Sequence, residues 1–101
     1  MSWKSAANKQ LISAILALKT PVEAEAFLRD LLTEGEIEEF SKRLETATML
    51  SQKLPYADIQ KKTGFSTTTI ARVSKWLQKG AGGYATIIQR LHSHTPSPRG
   101  S

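Results

Sequence analysis

Apolar residues recur at threes and fours along most of the chain, which is the period of a helix with one buried face. Over residues 4–18, Leu11, Ile12, Ile15, Leu16 and Leu18 share one broad face, with Trp3 just before them. Thr20-Pro21-Val22-Glu23 then reads as a helix start. Threonine supplies the N-cap, proline the first helical position, and glutamate can reach back in a capping box. The helix that follows is expected to turn Val22, Phe27, Leu28, Leu31 and Leu32 inward. Thr33 and Glu36 repeat the capping device and open a long helix predicted over 34–53, with Ile37, Phe40, Leu44, Ala47 and Leu50 along its buried seam. Acidic residues crowd its first turn, where they complement the helix dipole. Leu54-Pro55 is expected to stop it, because a residue before proline avoids the α region.

Residues 54–79, LPYADIQKKTGFSTTTIARVSKWLQK, carry the most informative pattern. A short helix is predicted over 56–62 and a second over 67–78. Gly64 sits between them, where a tight turn needs a positive φ. Ser66 is placed to cap the second helix with its hydroxyl. Ile59, Phe65, Ile70 and Val73 would close the two helices on each other, and this spacing is that of a helix-turn-helix unit. Lys79-Gly80 reads as a C-cap, Ala81-Gly82-Gly83 as a flexible joint, and residues 84–91 as a last helix with Ile87, Ile88 and Leu91 inward. The final stretch, HSHTPSPRGS, has no periodicity and is expected to be disordered. There is no strand pattern. The expectation is an all-α fold of six helices, one domain over 1–91 with the helix-turn-helix at about 56–78, and a tail over 92–101.

Charge sharpens this picture. The net charge is +5. Residues 1–50 hold six Lys/Arg and eight Asp/Glu, whereas residues 51–101 hold eight Lys/Arg and one acid, Asp58. The second half therefore attracts polyanions. A basic half alone is as readily a solvated face; its coincidence with a helix-turn-helix favours nucleic acid. With no cysteine, disulfides and thiolate zinc sites are excluded. No apolar run has the length of a membrane span, and the amino-terminal residues lack a signal-peptide pattern, so a cytoplasmic protein that does not engage membranes is expected.

The candidate DNA contacts are Tyr56, Lys61, Lys62, Ser66, Thr67, Thr68, Thr69, Ala71, Arg72, Lys75 and Lys79. Thr67, Thr68 and Ala71 lie at the start of the second helix of the unit, where side chains reach base edges. The plainer role of the Ser-Thr-Thr-Thr run is capping, and Ser66 is expected to do only that. Thr69 is a candidate for a phosphate. Lys61, Lys62, Lys75 and Lys79 would neutralise phosphates, although each singly is an ordinary surface lysine. Tyr56 can donate to a phosphate or pack beside Pro55. Arg43 can pair with Glu39 four residues earlier or face a ligand. Trp3 and Trp76 read as core or interface anchors. His92 and His94 have no nearby acid or thiol and are not expected to hold a metal. The acids from Glu34 to Glu39 suit a helix start better than acid–base chemistry. No enzyme, metal site or cofactor is expected.

Residues 28–91, about two-thirds of the chain, resemble the Trp repressor superfamily, and within it the Trp-repressor-related YerC/YecD group. The marks are LLT-x-x-E at the head of the long helix, Arg43, and the run TGFSTTTIARVSKWLQKGAGGY over 63–84. The resemblance implies an intertwined homodimer that presents two recognition helices to successive major grooves of DNA. It also implies an effector pocket at Thr33, Arg43 and Arg72. Arg72 thus has two readings, pocket or phosphate. Two positions depart from the family pattern: Val73 stands where Trp repressors have glycine, and Trp76 where they have a small serine. Both put bulk where an indole would lie, so L-tryptophan is not the expected co-repressor. The sequence therefore reads as a homodimeric DNA-binding regulator of bacterial transcription, most simply a repressor at the nucleoid. The competing reading is a helical protein-interaction module that uses the acidic amino-terminal half.

Overall fold

The computed structural model describes residues 1–93. Six α-helices follow in order: α1 (Ala6–Ala17), α2 (Pro21–Leu31), α3 (Glu34–Ser51), α4 (Tyr56–Thr63), α5 (Thr67–Lys79) and α6 (Gly83–Ser93). No strand occurs among the described residues. The chain divides into two compact units, Met1–Ile37 and Glu38–Ser101.

In the first unit each helix start is fixed by a side chain. The Ser5 hydroxyl accepts from the Asn8 N–H at 3.2 Å and opens α1 two residues later than the apolar pattern suggests. Thr20 caps α2 by accepting from the Glu23 N–H at 3.1 Å, with Pro21 behind it. The Glu23 carboxylate reaches back one residue further than a capping box requires, to the Lys19 N–H at 2.9 Å. At α3 the box is complete. Thr33 Oγ1 accepts from the Glu36 N–H at 3.0 Å, and Glu36 Oε1 accepts from the Thr33 N–H at 2.9 Å.

The apolar faces of this unit are not buried as expected. Neither α1 nor α2 has a buried residue. Leu16 is 79% exposed, Val22 73% and Trp3 61%. The unit therefore keeps its hydrophobic stripes in contact with solvent, although two helices with good caps define it. Between them runs a groove of about 380 Å³ lined by Leu11, Phe27 and Leu31.

The second unit has a core. Ala47 of α3, Val73 of α5 and Ile88 of α6 meet, with Leu44, Leu50, Leu77 and Tyr84 packed around them. Ile59 of α4 and Ile70 of α5 are fully buried. Leu44, Ala47 and Leu50 of the predicted seam are thus core or its margin, but Phe40 remains exposed. Ile87 and Leu91 of α6 are likewise exposed, and only Ile88 of that expected trio is buried. Thr46 is also fully buried, and its hydroxyl has no hydrogen-bond partner among the described residues.

Helix α3 ends before Pro55 exerts any effect. Lys53 adopts a left-handed conformation, φ 65°. Its N–H donates to the Leu50 carbonyl at 3.0 Å and the Leu54 N–H donates to the Met49 carbonyl at 3.1 Å. These two bonds make a Schellman motif with lysine where glycine is usual. Gly83, expected in a loop joint, is the first residue of α6, and the positive φ there belongs to Gly82 at 91°. Helix α6 also takes in His92 and Ser93, which the tail was expected to contain. The rest of the expected tail, with His94, lies outside the described residues.

Candidate nucleic-acid interface

The interface is built on α4 and α5. Helix α4 ends at Gly64 with φ 77°, its N–H donating to the Gln60 carbonyl at 2.8 Å. Thr63 is buried and stitches the turn: its hydroxyl donates to the Ile59 carbonyl at 2.8 Å and accepts from the Phe65 N–H at 3.1 Å. Nothing in the composition of the turn singled out Thr63, because its role is set by burial. Ser66 caps α5 as expected, accepting from the Thr69 N–H at 3.2 Å and donating to Thr69 Oγ1 at 3.1 Å. That contact holds Thr69 half-buried against the cap, so its hydroxyl is engaged within the protein.

On α5 the residues sort by angle. At about 100° per residue, Thr68, Ala71, Arg72, Lys75 and Lys79 fall on one strip about 100° wide, and Ile70, Val73 and Leu77 lie opposite. Every residue of the strip is exposed, whereas Ile70 and Val73 are buried in the core. Thr67 is exposed beside it at the first position of the helix. The Arg72 side chain is exposed on the strip and makes no ion pair among the described residues. Lys61 and Lys62 are exposed at the end of α4, and Tyr56 is partly exposed at its start. The basic residues Lys61, Lys62, Arg72, Lys75 and Lys79 thus belong to two adjacent helices, with no acidic residue on α5.

The positions of the expected effector pocket fare differently. Thr33 uses its hydroxyl as the α3 cap. Val73 is core, 1% exposed against Ala47 and Ile88. Arg43 makes the predicted pair with Glu39, Nε to Oε2 at 3.3 Å. Its guanidinium also lies over two rings, 5.4 Å from the centroid of Phe40 and 5.7 Å from that of Trp76. Trp76 is therefore not a core anchor, being 40% exposed. It forms one wall of a groove of about 490 Å³ with Leu44, Tyr84 and Ile87.

No cluster of potential metal ligands occurs among the described residues, and no helix is long and apolar enough to cross a membrane. The family model for Trp repressor protein matches residues 6–92. The uncharacterised protein YerC of Bacillus subtilis is 40% identical over 82 residues, which cover 81% of this chain and 79% of YerC. Two solved structures are similar throughout. A TrpR-like protein from Eubacterium eligens gives a TM-score of 0.85 at 44% identity, covering 89% of this chain and 93% of that one. A Staphylococcus aureus protein provisionally assigned as a Trp repressor gives 0.84 at 39% identity, covering 94% and 98%.

Proposed function

The chain belongs to the Trp repressor family, with its six-helix all-α fold, and on that premise we propose that it is a homodimeric, sequence-specific DNA-binding regulator of transcription. The observation that carries this reading is the exposed strip of Thr68, Ala71, Arg72, Lys75 and Lys79 on α5, opposite a helix face fixed in the core. A helix held in this way can lie in a major groove with threonine and alanine toward base edges and lysines toward phosphates. Threonine hydrogen-bonds a base or meets a thymine methyl, and alanine makes only the apolar contact. Lys61 and Lys62 extend the phosphate-neutralising surface to α4, with Tyr56 as a further donor.

The uncovered faces of α1 and α2 support pairing with a second copy. Two small helices that leave Leu16, Val22 and Trp3 in solvent bury too little to be stable alone, and contiguous exposed apolar residues mark an interaction surface. A dimer supplies two copies of α5 for two half-sites about one helical turn apart. Bound there, it represses by occluding a promoter, at the nucleoid in the bacterial cytoplasm. The Arg43–Trp76 stack supports the view that the site expected to hold an indole effector is filled from within, so L-tryptophan is not the co-repressor. The reading includes no enzymatic activity.

The test is duplex affinity measured against salt. The proposal expects affinity to fall about 10³-fold or more between 50 and 200 mM salt, as for six or more phosphate contacts. Sedimentation of the free protein should give twice the chain mass. A flat salt response would reject the DNA-binding reading, and a monomer at micromolar concentration would reject the dimer.

A further inference from the structure

We propose that Arg43 is a positioning residue for DNA binding: its stack on Trp76 sets the orientation of α5 without touching DNA. This rests on the DNA-binding reading above. Three observations within the second unit carry it. First, the guanidinium lies within about 6 Å of two ring centroids, Phe40 from its own helix and Trp76 from α5. Glu39 holds the same group from a turn earlier, at 3.3 Å to Nε. The cation is therefore fixed from three sides by Glu39, Phe40 and Trp76, and only one of these belongs to α5.

Second, the stack continues a contact that is already buried. Ala47 and Val73 join α3 to α5 in the core. Arg43 is one turn before Ala47, and Trp76 is one turn after Val73. The pair Arg43–Trp76 thus extends the same helix–helix seam outward by one turn, toward the end of α5. A planar cation on an aromatic face transmits orientation as well as attraction, which lysine reproduces only in part.

Third, Trp76 is held at its backbone as well. Its carbonyl accepts the Gly80 N–H that ends α5, at 2.8 Å. A Cβ at Gly80 would collide with that same carbonyl, so the helix end admits no side chain there without moving. The Gly80 bond closes the last turn of α5, and the Arg43 stack joins that closed turn to α3. The opposite end of α5 packs on α4, where Ile59 and Ile70 are fully buried. With both ends fixed, the strip carrying Thr68, Ala71 and Lys75 has one orientation to offer a groove.

The experiment uses the full chain in a Trp3→Phe background, so that Trp76 is the sole indole, with that background as reference. Arg43→Met, Arg43→Lys, Trp76→Leu and the Arg43→Met/Trp76→Leu double variant are compared for affinity to a random-sequence duplex across salt, and the indole-bearing variants for Trp76 emission. Loss of two exposed-to-half-buried cation–ring contacts is expected to lower affinity by about 3- to 10-fold in Arg43→Met. Trp76→Leu should lose a similar factor, the double variant no more than either, and Arg43→Lys should recover part of the loss. The slope of log affinity against log salt should stay at the reference value, because Arg43 meets no phosphate. Trp76 emission should shift in Arg43→Met. A slope reduced by about one in Arg43→Met would make Arg43 a phosphate contact and overturn the proposal. Unchanged affinity with shifted emission would also overturn it, leaving a stack that does not position α5. An unsubstituted protein with no salt-dependent duplex binding would instead remove the DNA-binding reading itself, while the emission shift still reports the stack.

Discussion

The Thr63 hydroxyl donates to the Ile59 carbonyl at 2.8 Å and accepts from the Phe65 N–H at 3.1 Å, so one side chain closes α4 and secures the first residue after its glycine turn. Thr63 is 3% exposed, which denies water access to either bond. Replacing it with valine keeps the shape and removes both bonds, leaving the half-buried Phe65 N–H without its partner. The expected cost is about 1–2 kcal/mol in urea denaturation. Thr63→Ser keeps the hydroxyl and should lie close to the parent protein. A valine variant as stable as the parent would show that the turn does not depend on these bonds.

Lys53 sits at φ 65° in the αL position of a Schellman motif. An L side chain is strained there by about 1–2 kcal/mol, and glycine relieves this while adding unfolded-state freedom. Lys53→Gly should therefore stabilise the protein by about 0.5 kcal/mol, read as a rise of a few degrees in melting temperature. A fall in melting temperature would mean that the lysine side chain contributes more than its backbone costs.

Thr46 is fully buried on α3, and its hydroxyl has no partner among the described residues. Desolvating that group without a partner costs stability, and valine has nearly the same volume. Thr46→Val is expected to be neutral or stabilising by about 1 kcal/mol in chemical denaturation. A loss of the same size would indicate a partner for Oγ1 in the folded protein in solution.

On α5, lysine and threonine should fail differently. Lys75→Ala should weaken binding to every duplex alike and lower the salt slope by about one for each copy of the chain on DNA. Thr68→Ala should leave the slope intact and relax preference at one base pair by about 1 kcal/mol. A binding-site selection with both variants separates them; equal and uniform losses would assign Thr68 to a phosphate instead.

What could be read in advance was whatever is encoded locally. The Thr33–Glu36 box, the glycine turn at Gly64 and the Ser66 cap depend on a few neighbouring residues, and each formed where its residues stand. The core position of Val73 followed from helical period alone. The end of α3 did not, because lysine carries no signal for a left-handed residue and the more visible Pro55 drew the boundary outward. Thr63 and Thr46 were hidden for a related reason: a threonine in a helix looks the same whether its hydroxyl is satisfied, shared or stranded. Period also marks which residues face one way without saying what they face. That is why the stripes of α1 and α2 are amphipathic by sequence and yet have no buried residue in the single chain. Arg43 was legible as half of a pair with Glu39, but its seat on Trp76 joins residues 33 apart and required the fold.

The solvent-facing stripes of α1 and α2 also bear on dose. If the folded amino-terminal helices exist chiefly in pairs, the active species grows with the square of chain concentration at low expression. Stability and DNA occupancy then rise together as the protein accumulates and fall together on dilution at cell division. Such a regulator senses its own abundance, and needs no added ligand to respond sharply to it.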